Sequence, residues 1–294
     1  MKKLADNIKR VGLFANTDKP ACREFVQRAA RLISRSGRQV IADAATGAFA
    51  GLRSKVYDSV AELAAQSDLV LIFGGDGTML SAARETGGSK TPLLGINLGG
   101  LGFLTTIPAA DMTRGLRAVW AGGFSIETRS MIEASGNLSG APFKEGAMND
   151  FVASRGAGSR LIELDVFVDG VELTRYRCDG LIVSSPTGST AYSLAAGGAI
   201  VSPSASVFTL TPICPHTLSN RSVIVNLNSV IEIRAVSDRP ETIFSADGEL
   251  LGILRPGERI RISRSRKNAR LLHLTDDSFF KTLRTKLNWR GSHV

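Results

Sequence analysis

Leu69-Val70-Leu71-Ile72-Phe73-Gly74-Gly75-Asp76-Gly77-Thr78-Met79-Leu80 runs from an unbroken apolar segment, through glycines and one carboxylate, into a helical pattern. The apolar run Leu69 to Phe73 reads as a strand buried on both faces, the mark of a parallel sheet. Met79, Leu80, Ala82 and Ala83 carry the helix that follows. A strand-to-helix turn in an open α/β sheet is where such folds bind ligands. Glycines let backbone N–H groups approach an anion, and the helix start adds partial positive charge. Gly74, Gly75, Gly77 and Thr78 therefore read as a phosphate-donor cradle. Asp76 would repel phosphate, so it faces either a hydroxyl to deprotonate or a metal ion. Phosphate on the glycines with a hydroxyl at Asp76 describes phosphoryl transfer to an alcohol. The plainer alternative is a tight turn with Asp76 as a helix N-cap.

Working outward, Val11 to Ala15 reads as a first strand, and Phe25, Ala29, Leu32 and Ile33 recur at helical spacing. Gln39 to Ala42 is a short strand, Ala44 to Val56 a loop rich in Ala and Gly, and Ser59 with Glu62 a capping box. Pro92 to Ile96 is another buried strand. It ends in a second glycine cluster, Asn97 to Phe103, expected to face the first across a crevice. Ala109 to Trp120 is an amphipathic helix. From Phe124 the period changes to alternation, with hairpin signals at Asp169-Gly170 and Asp247-Gly248. The fold class is thus an α/β N-terminal domain, Rossmann-like with a parallel sheet, followed by a β-rich C-terminal domain. The expected division is 1–123, 124–268 and a helical tail, 269–294, that could return to the first domain.

The 294 residues are 43% hydrophobic and 21% charged, as in a soluble globular protein. No apolar run approaches the ~20 residues of a membrane span, and the basic N-terminus has no apolar stretch behind it. The expectation is a cytoplasmic protein without membrane association. Cys22, Cys178 and Cys214 are widely spaced, which supports neither a disulfide frame nor a zinc site. No metal-ligand set is read from the residues. The net charge of +9 suits nucleic acid or a polyanionic small ligand. No aromatics interleave with the arginines between Arg255 and Arg270, so nucleic acid is not expected as a partner. A Walker A motif and a dinucleotide Gly-x-Gly-x-x-Gly fingerprint are both lacking. In the β-rich part a strand, Leu181 to Ser184, enters Pro186-Thr187-Gly188-Ser189-Thr190, whose hydroxyls beside a helix start suit a polar ligand or an ordinary cap. His216 reads as a structural histidine.

Several stretches together resemble the bacterial NAD kinases: Gly74 to Thr78; Gly95-Ile96-Asn97 with Gly102-Phe103-Leu104-Thr105; Asn149-Asp150; Asp179-Gly180 through Tyr192; Pro215 to Ser219; and Thr285 to Trp289. The resemblance covers essentially the whole chain. It implies substrate held between the two domains. The implied reaction moves the terminal phosphate of ATP, or of polyphosphate in some members, to the adenosine ribose 2′-hydroxyl of NAD, giving NADP. Asp76 would be the proton acceptor, with Gly77 lining the dinucleotide. Asn149 and Asp150 would bind ribose or nearby groups. Asp179 would hold the nicotinamide end, flanked by Arg160 and Arg177. Thr190, Ala191, Tyr192 and Ser193 would contact the adenine part. Magnesium would accompany the donor, and the protein would be a homo-oligomer, dimer or tetramer. Asp150 stands where many relatives carry Glu, and Ser185 where Thr is usual. Ala195 replaces a hydroxyl found in several relatives, and Glu249 stands where an amide is common, so both are weaker members of the NAD-binding set. The rivals are a lipid or sugar kinase sharing the Gly-Gly-Asp-Gly turn, and a non-catalytic dinucleotide or RNA sensor.

Overall fold

The computed structural model describes residues 2–100, 102–158, 160–216, 221–236, 241–275 and 277–289. The chain divides into two compact units, residues 1–128 with 268–294, and residues 129–267.

The first unit alternates strands and helices: α1 (Lys2–Asn7), β1 (Arg10–Ala15), α2 (Cys22–Arg35), β2 (Gln39–Asp43), α3 (Ala44–Ala50), β3 (Lys55–Tyr57), α4 (Val60–Ala65), β4 (Leu69–Gly74), α5 (Asp76–Glu85), β5 (Leu93–Asn97), β6 (Ile107–Pro108) and α6 (Met112–Trp120). Its strands lie in the order β5-β4-β1-β2-β3, every pair parallel. All six residues of β4 are buried, as a strand with parallel neighbours on both sides must be. Burying each of its large side chains stabilises the unit by roughly 1.5–3 kcal/mol. α2 turns Val26, Ala29 and Ile33 inward against the same core as Leu13, Leu71 and Phe73. Leu116 and Val119 of α6 join that core, while Trp120 is half-buried under the Arg38 guanidinium, 4.0 Å from the ring centroid.

The stretch from Ala44 to Val56 is not a loop. It forms α3 and enters β3. The Asp43 carboxylate accepts the Thr46 N–H at 3.1 Å, and Gly51 ends the helix in the left-handed conformation at φ +63°. Its small residues let it lie close to the sheet: a Cβ on Gly47 would stand 2.7 Å from Val56. Ser59 does cap α4, accepting from Glu62 N–H at 3.1 Å.

The second unit contains most of β7 (Phe124–Leu138), then β8 (Ala141–Ala147), β9 (Asp150–Arg155), β10 (Ile162–Val168), β11 (Val171–Cys178), β12 (Gly180–Ser184), the short helix α7 (Tyr192–Ala195), β13 (Val207–Ile213), β14 (Val223–Asn226), β15 (Ile231–Ala235), β16 (Thr242–Ala246) and β17 (Glu249–Leu254). The long strand β18 (Arg259–Leu274) starts here and ends in the first unit, where α8 (Phe279–Lys286) follows. One sheet runs β14-β13-β12-β9-β16-β17 and is antiparallel throughout. A second set pairs β11-β10-β15 with the start of β18. Phe151, Phe208 and Phe244 fill the core, Phe151 and Phe244 stacked at 5.7 Å. Asp169-Gly170 and Asp247-Gly248 carry positive φ at both positions, which fits the right-handed twist of the strands they join.

Candidate active site

One candidate cluster lies at the carboxyl end of β4, in the first unit. Gly75 is the N-cap of α5, its carbonyl accepting Met79 N–H at 3.2 Å, so Asp76 is the first helical residue and not the cap. The half-buried Asp76 side chain instead reaches the segment after the second glycine cluster. Its Oδ2 accepts Phe103 N–H at 2.8 Å. Its Oδ1 accepts Leu104 N–H at 3.2 Å, Thr105 N–H at 3.2 Å and the Thr105 hydroxyl at 3.1 Å. A carboxylate offers about four lone-pair sites, so Oδ1 is saturated and Oδ2 keeps one free.

The glycines divide into two kinds. A Cβ on Gly102 would stand 2.1 Å from Asp76 Oδ1 and 2.4 Å from Thr105 Oγ1. One on Gly74 would meet Thr78 Oγ1 at 2.2 Å, and one on Gly95 would meet the Thr105 backbone at 2.7 Å. At these three positions a side chain would collide with its own neighbours, so glycine there permits close packing. Gly75, Gly77 and Gly100 have no atom within 4 Å of such a Cβ. Among the described residues, none crowds Gly75 or Gly77, whose outer side is open.

A separate candidate cluster lies in the second unit, around the start of β9. The Asp247 carboxylate accepts three successive amides: Met148 at 3.0 Å, Asn149 at 2.7 Å and Asp150 at 3.1 Å. Asn149 O accepts Ser185 N–H at 2.8 Å, and Met148 O accepts the Ser185 hydroxyl at 2.6 Å. A Cβ on Gly188 would lie 2.3 Å from Asn149 O, so glycine lets the Pro-Thr-Gly-Ser-Thr turn close on this dyad. Asp150 is 4% exposed. Burial, reinforced by the Asp247 charge, pushes its carboxyl up to about 7.

Thr190 donates its hydroxyl to Thr187 O at 3.2 Å, and Ser193 Oγ lies 3.0 Å from Thr211 Oγ1. Ala191 is half-buried, Tyr192 is 48% exposed, and Ala195 and Glu249 are exposed. Asp179 pairs with Arg155, Nε donating to Oδ1 at 2.6 Å. Arg155 is absent from the residues that the sequence singles out. Arg160 and Arg177 are exposed, and Arg177 meets His216 through its carbonyl, which accepts His216 N–H at 2.8 Å. His216 is itself exposed, and Thr217 to Ser219 lie outside the described residues. Among the described residues, no group of three or more His, Cys, Asp or Glu side chains forms a metal cluster, and no helix is long and apolar enough to cross a membrane.

A parallel α/β unit with a glycine-walled turn and a positioned carboxylate, joined in sequence to a β-rich unit, defines a phosphotransferase. The description "ATP-NAD kinase N-terminal domain" matches residues 11–124, and "ATP-NAD kinase C-terminal domain" matches residues 148–274. The NAD kinase of Moorella thermoacetica is 40% identical over 285 residues, 97% of this chain and 91% of that protein. That of Desulforamulus reducens is 43% identical over 235 residues, 79% of this chain and 82% of that protein. Among solved structures, yeast NADH kinase complexed with NADH aligns with a TM-score of 0.86 at 27% identity, covering 98% of this chain and 89% of the yeast chain. An Archaeoglobus fulgidus NAD kinase in complex with ATP aligns with a TM-score of 0.74 at 26% identity, covering 96% of this chain and 100% of that one. The chain belongs to the NAD kinase family. The lipid-kinase, sugar-kinase and RNA-sensor alternatives are not favoured by these matches.

Proposed function

We propose that the enzyme moves the terminal phosphate of ATP to the adenosine ribose 2′-hydroxyl of NAD with Asp76 as the base. The observation that carries this reading is the lock on Asp76: four hydrogen bonds from residues 103–105 fix its carboxylate and leave one lone pair on Oδ2. A ribose hydroxyl is a weak nucleophile, and an oriented carboxylate that takes its proton as phosphorus is attacked supplies a rate factor of about 10²–10⁴. The N–H groups around Gly75 and Gly77 cradle the donor phosphates, where ligand atoms meet no side chain. Asn149 and Asp150, set by Asp247, hold the ribose region. Thr190, Ala191, Tyr192 and Ser193 take the adenine part, and Asp179 takes the nicotinamide end with Arg155 holding it in place.

Magnesium fits this set as an ion carried by the donor phosphates, since it binds through phosphates and few carboxylates. It would neutralise charge on the transferring group. Polyphosphate as an alternative donor, a cytoplasmic location and a dimer or tetramer complete the proposal, on family resemblance. Purified protein incubated with NAD, ATP and magnesium should form NADP, and EDTA should stop it. Asp76→Asn should lower turnover by about 10² or more. Full turnover in that variant would remove Asp76 from the chemistry.

A further inference from the structure

The first unit also carries a cationic groove, built by residues to which the catalytic reading assigns no role. Arg31, Ser34 and Arg35 occupy one face of α2, at spacings i, i+3 and i+4. Arg53 and Ser54, following α3, line the same groove, of about 340 Å³, with Val40 on its apolar wall. Every charged residue lining it is an arginine. None of the three guanidiniums forms a hydrogen bond or ion pair with a described residue. Like charges at i, i+4 repel on a helix, and here no carboxylate relieves them. The helix dipole favours Arg35 in the last turn of α2 but does nothing for Arg53. Ser54 Oγ, at the foot of the groove, is buried and has no hydrogen-bond partner, so the arginines, and not this hydroxyl, face the open side.

We propose that this groove binds a small anion carrying two or more phosphoryl groups. The guanidinium forks match phosphate oxygens two at a time, and three of them suit an oligophosphate better than a single carboxylate. An inorganic oligophosphate and the phosphate tail of a nucleotide share this chemistry, and the apolar wall offers a nucleotide base a surface to lie on.

The test is calorimetric titration of the full chain with inorganic tripolyphosphate, comparing wild type with Arg31→Gln/Arg35→Gln/Arg53→Gln. Wild type should bind one more equivalent than the variant. The additional equivalent should be lost near 1 M salt, where the Debye length shrinks to ~3 Å. The three side chains are exposed, so the variant should keep its melting temperature and its NADP formation. Should it unfold, Arg53→Gln alone, outside any helix, must still weaken the extra site by about tenfold. A non-hydrolysable ATP analogue that displaces the extra tripolyphosphate identifies the nucleotide tail as the natural source, and failure to displace it identifies the inorganic chain. Identical stoichiometry and affinity in wild type and variant would overturn the proposal.

Discussion

Replacing Gly102 with Ala tests the Asp76 lock directly. The added methyl carbon would lie 2.1 Å from Asp76 Oδ1, with Thr105 Oγ1 at 2.4 Å, well inside any tolerable contact. Either the carboxylate swings away or the 102–105 backbone retreats, and both break bonds to Oδ1. Overpacking of this kind costs about 1–3 kcal/mol. For a domain of about 150 residues that corresponds to a melting point lower by roughly 2–12 °C. A displacement of ~1 Å at a catalytic group lowers turnover by about 10²-fold. Gly77→Ala supplies the contrast. No atom lies within 4 Å of its new Cβ, and Gly77 is the second residue of α5, so helix propensity should raise stability by about 0.5–1 kcal/mol. The same methyl would project into the space assigned to substrate and raise KM. Thermal denaturation and a coupled assay of NADP formation read both variants. If Gly102→Ala melts and turns over like wild type, or Gly77→Ala leaves KM for both substrates unchanged, the division of the glycines into packing and ligand-facing kinds is wrong.

Asp76→Asn should lose turnover and some stability together, because an amide has one acceptor oxygen for four donors; a variant as stable as wild type would show the lock to be energetically idle. Asp247→Ala strips the acceptor from three amides and should raise KM for NAD about tenfold or more while altering kcat less. An unchanged KM would separate Asp247 from the Asn149-Asp150 dyad. Asp150 titrates near 7 when folded and near an ordinary 3.8 when unfolded, so the native protein binds the extra proton between those values. Stability from this group therefore falls as pH rises from about 4 through 7, by up to ~4 kcal/mol at 1.36 kcal/mol per unit. Asp150→Asn should flatten that slope, measured as melting temperature against pH; parallel curves for the two proteins would show that Asp150 does not carry it.

Much of the fold is legible where one local signal faces no rival. Leu69 to Phe73 has no polar residue to expose, and all of it is buried. Asp169-Gly170 accepts the backbone its turn requires, with φ of 52° and 80°. The α3 helix is hidden because its composition lacks strong periodicity, and its cap, Asp43, ends the preceding strand. The alternating pattern of β18 fades near Ser263, but Leu271 continues the strand by pairing with Leu93, far away in sequence. The site shows the same division. A carboxylate between glycines announces Asp76, but its bonds to residues 27–29 further on follow from β4 and β5 lying side by side. Asp247 reads as a turn residue, and its grip on residues 148–150 depends on β16 lying beside β9. Arg155 meets Asp179 because β9 and β12 are paired neighbours, with Gly180 opposite Ser154.

The α/β unit is discontinuous along the chain, its last pieces being residues 268–294. Gly88 N–H donates to Asn268 O, and Leu271 registers against Leu93, so part of the outer side of β5 is satisfied only by a segment translated some 180 residues later. During synthesis the β-rich unit is made in full before the earlier one can finish. The β5 edge therefore stays unpaired along this stretch until the carboxyl half of β18 has been made.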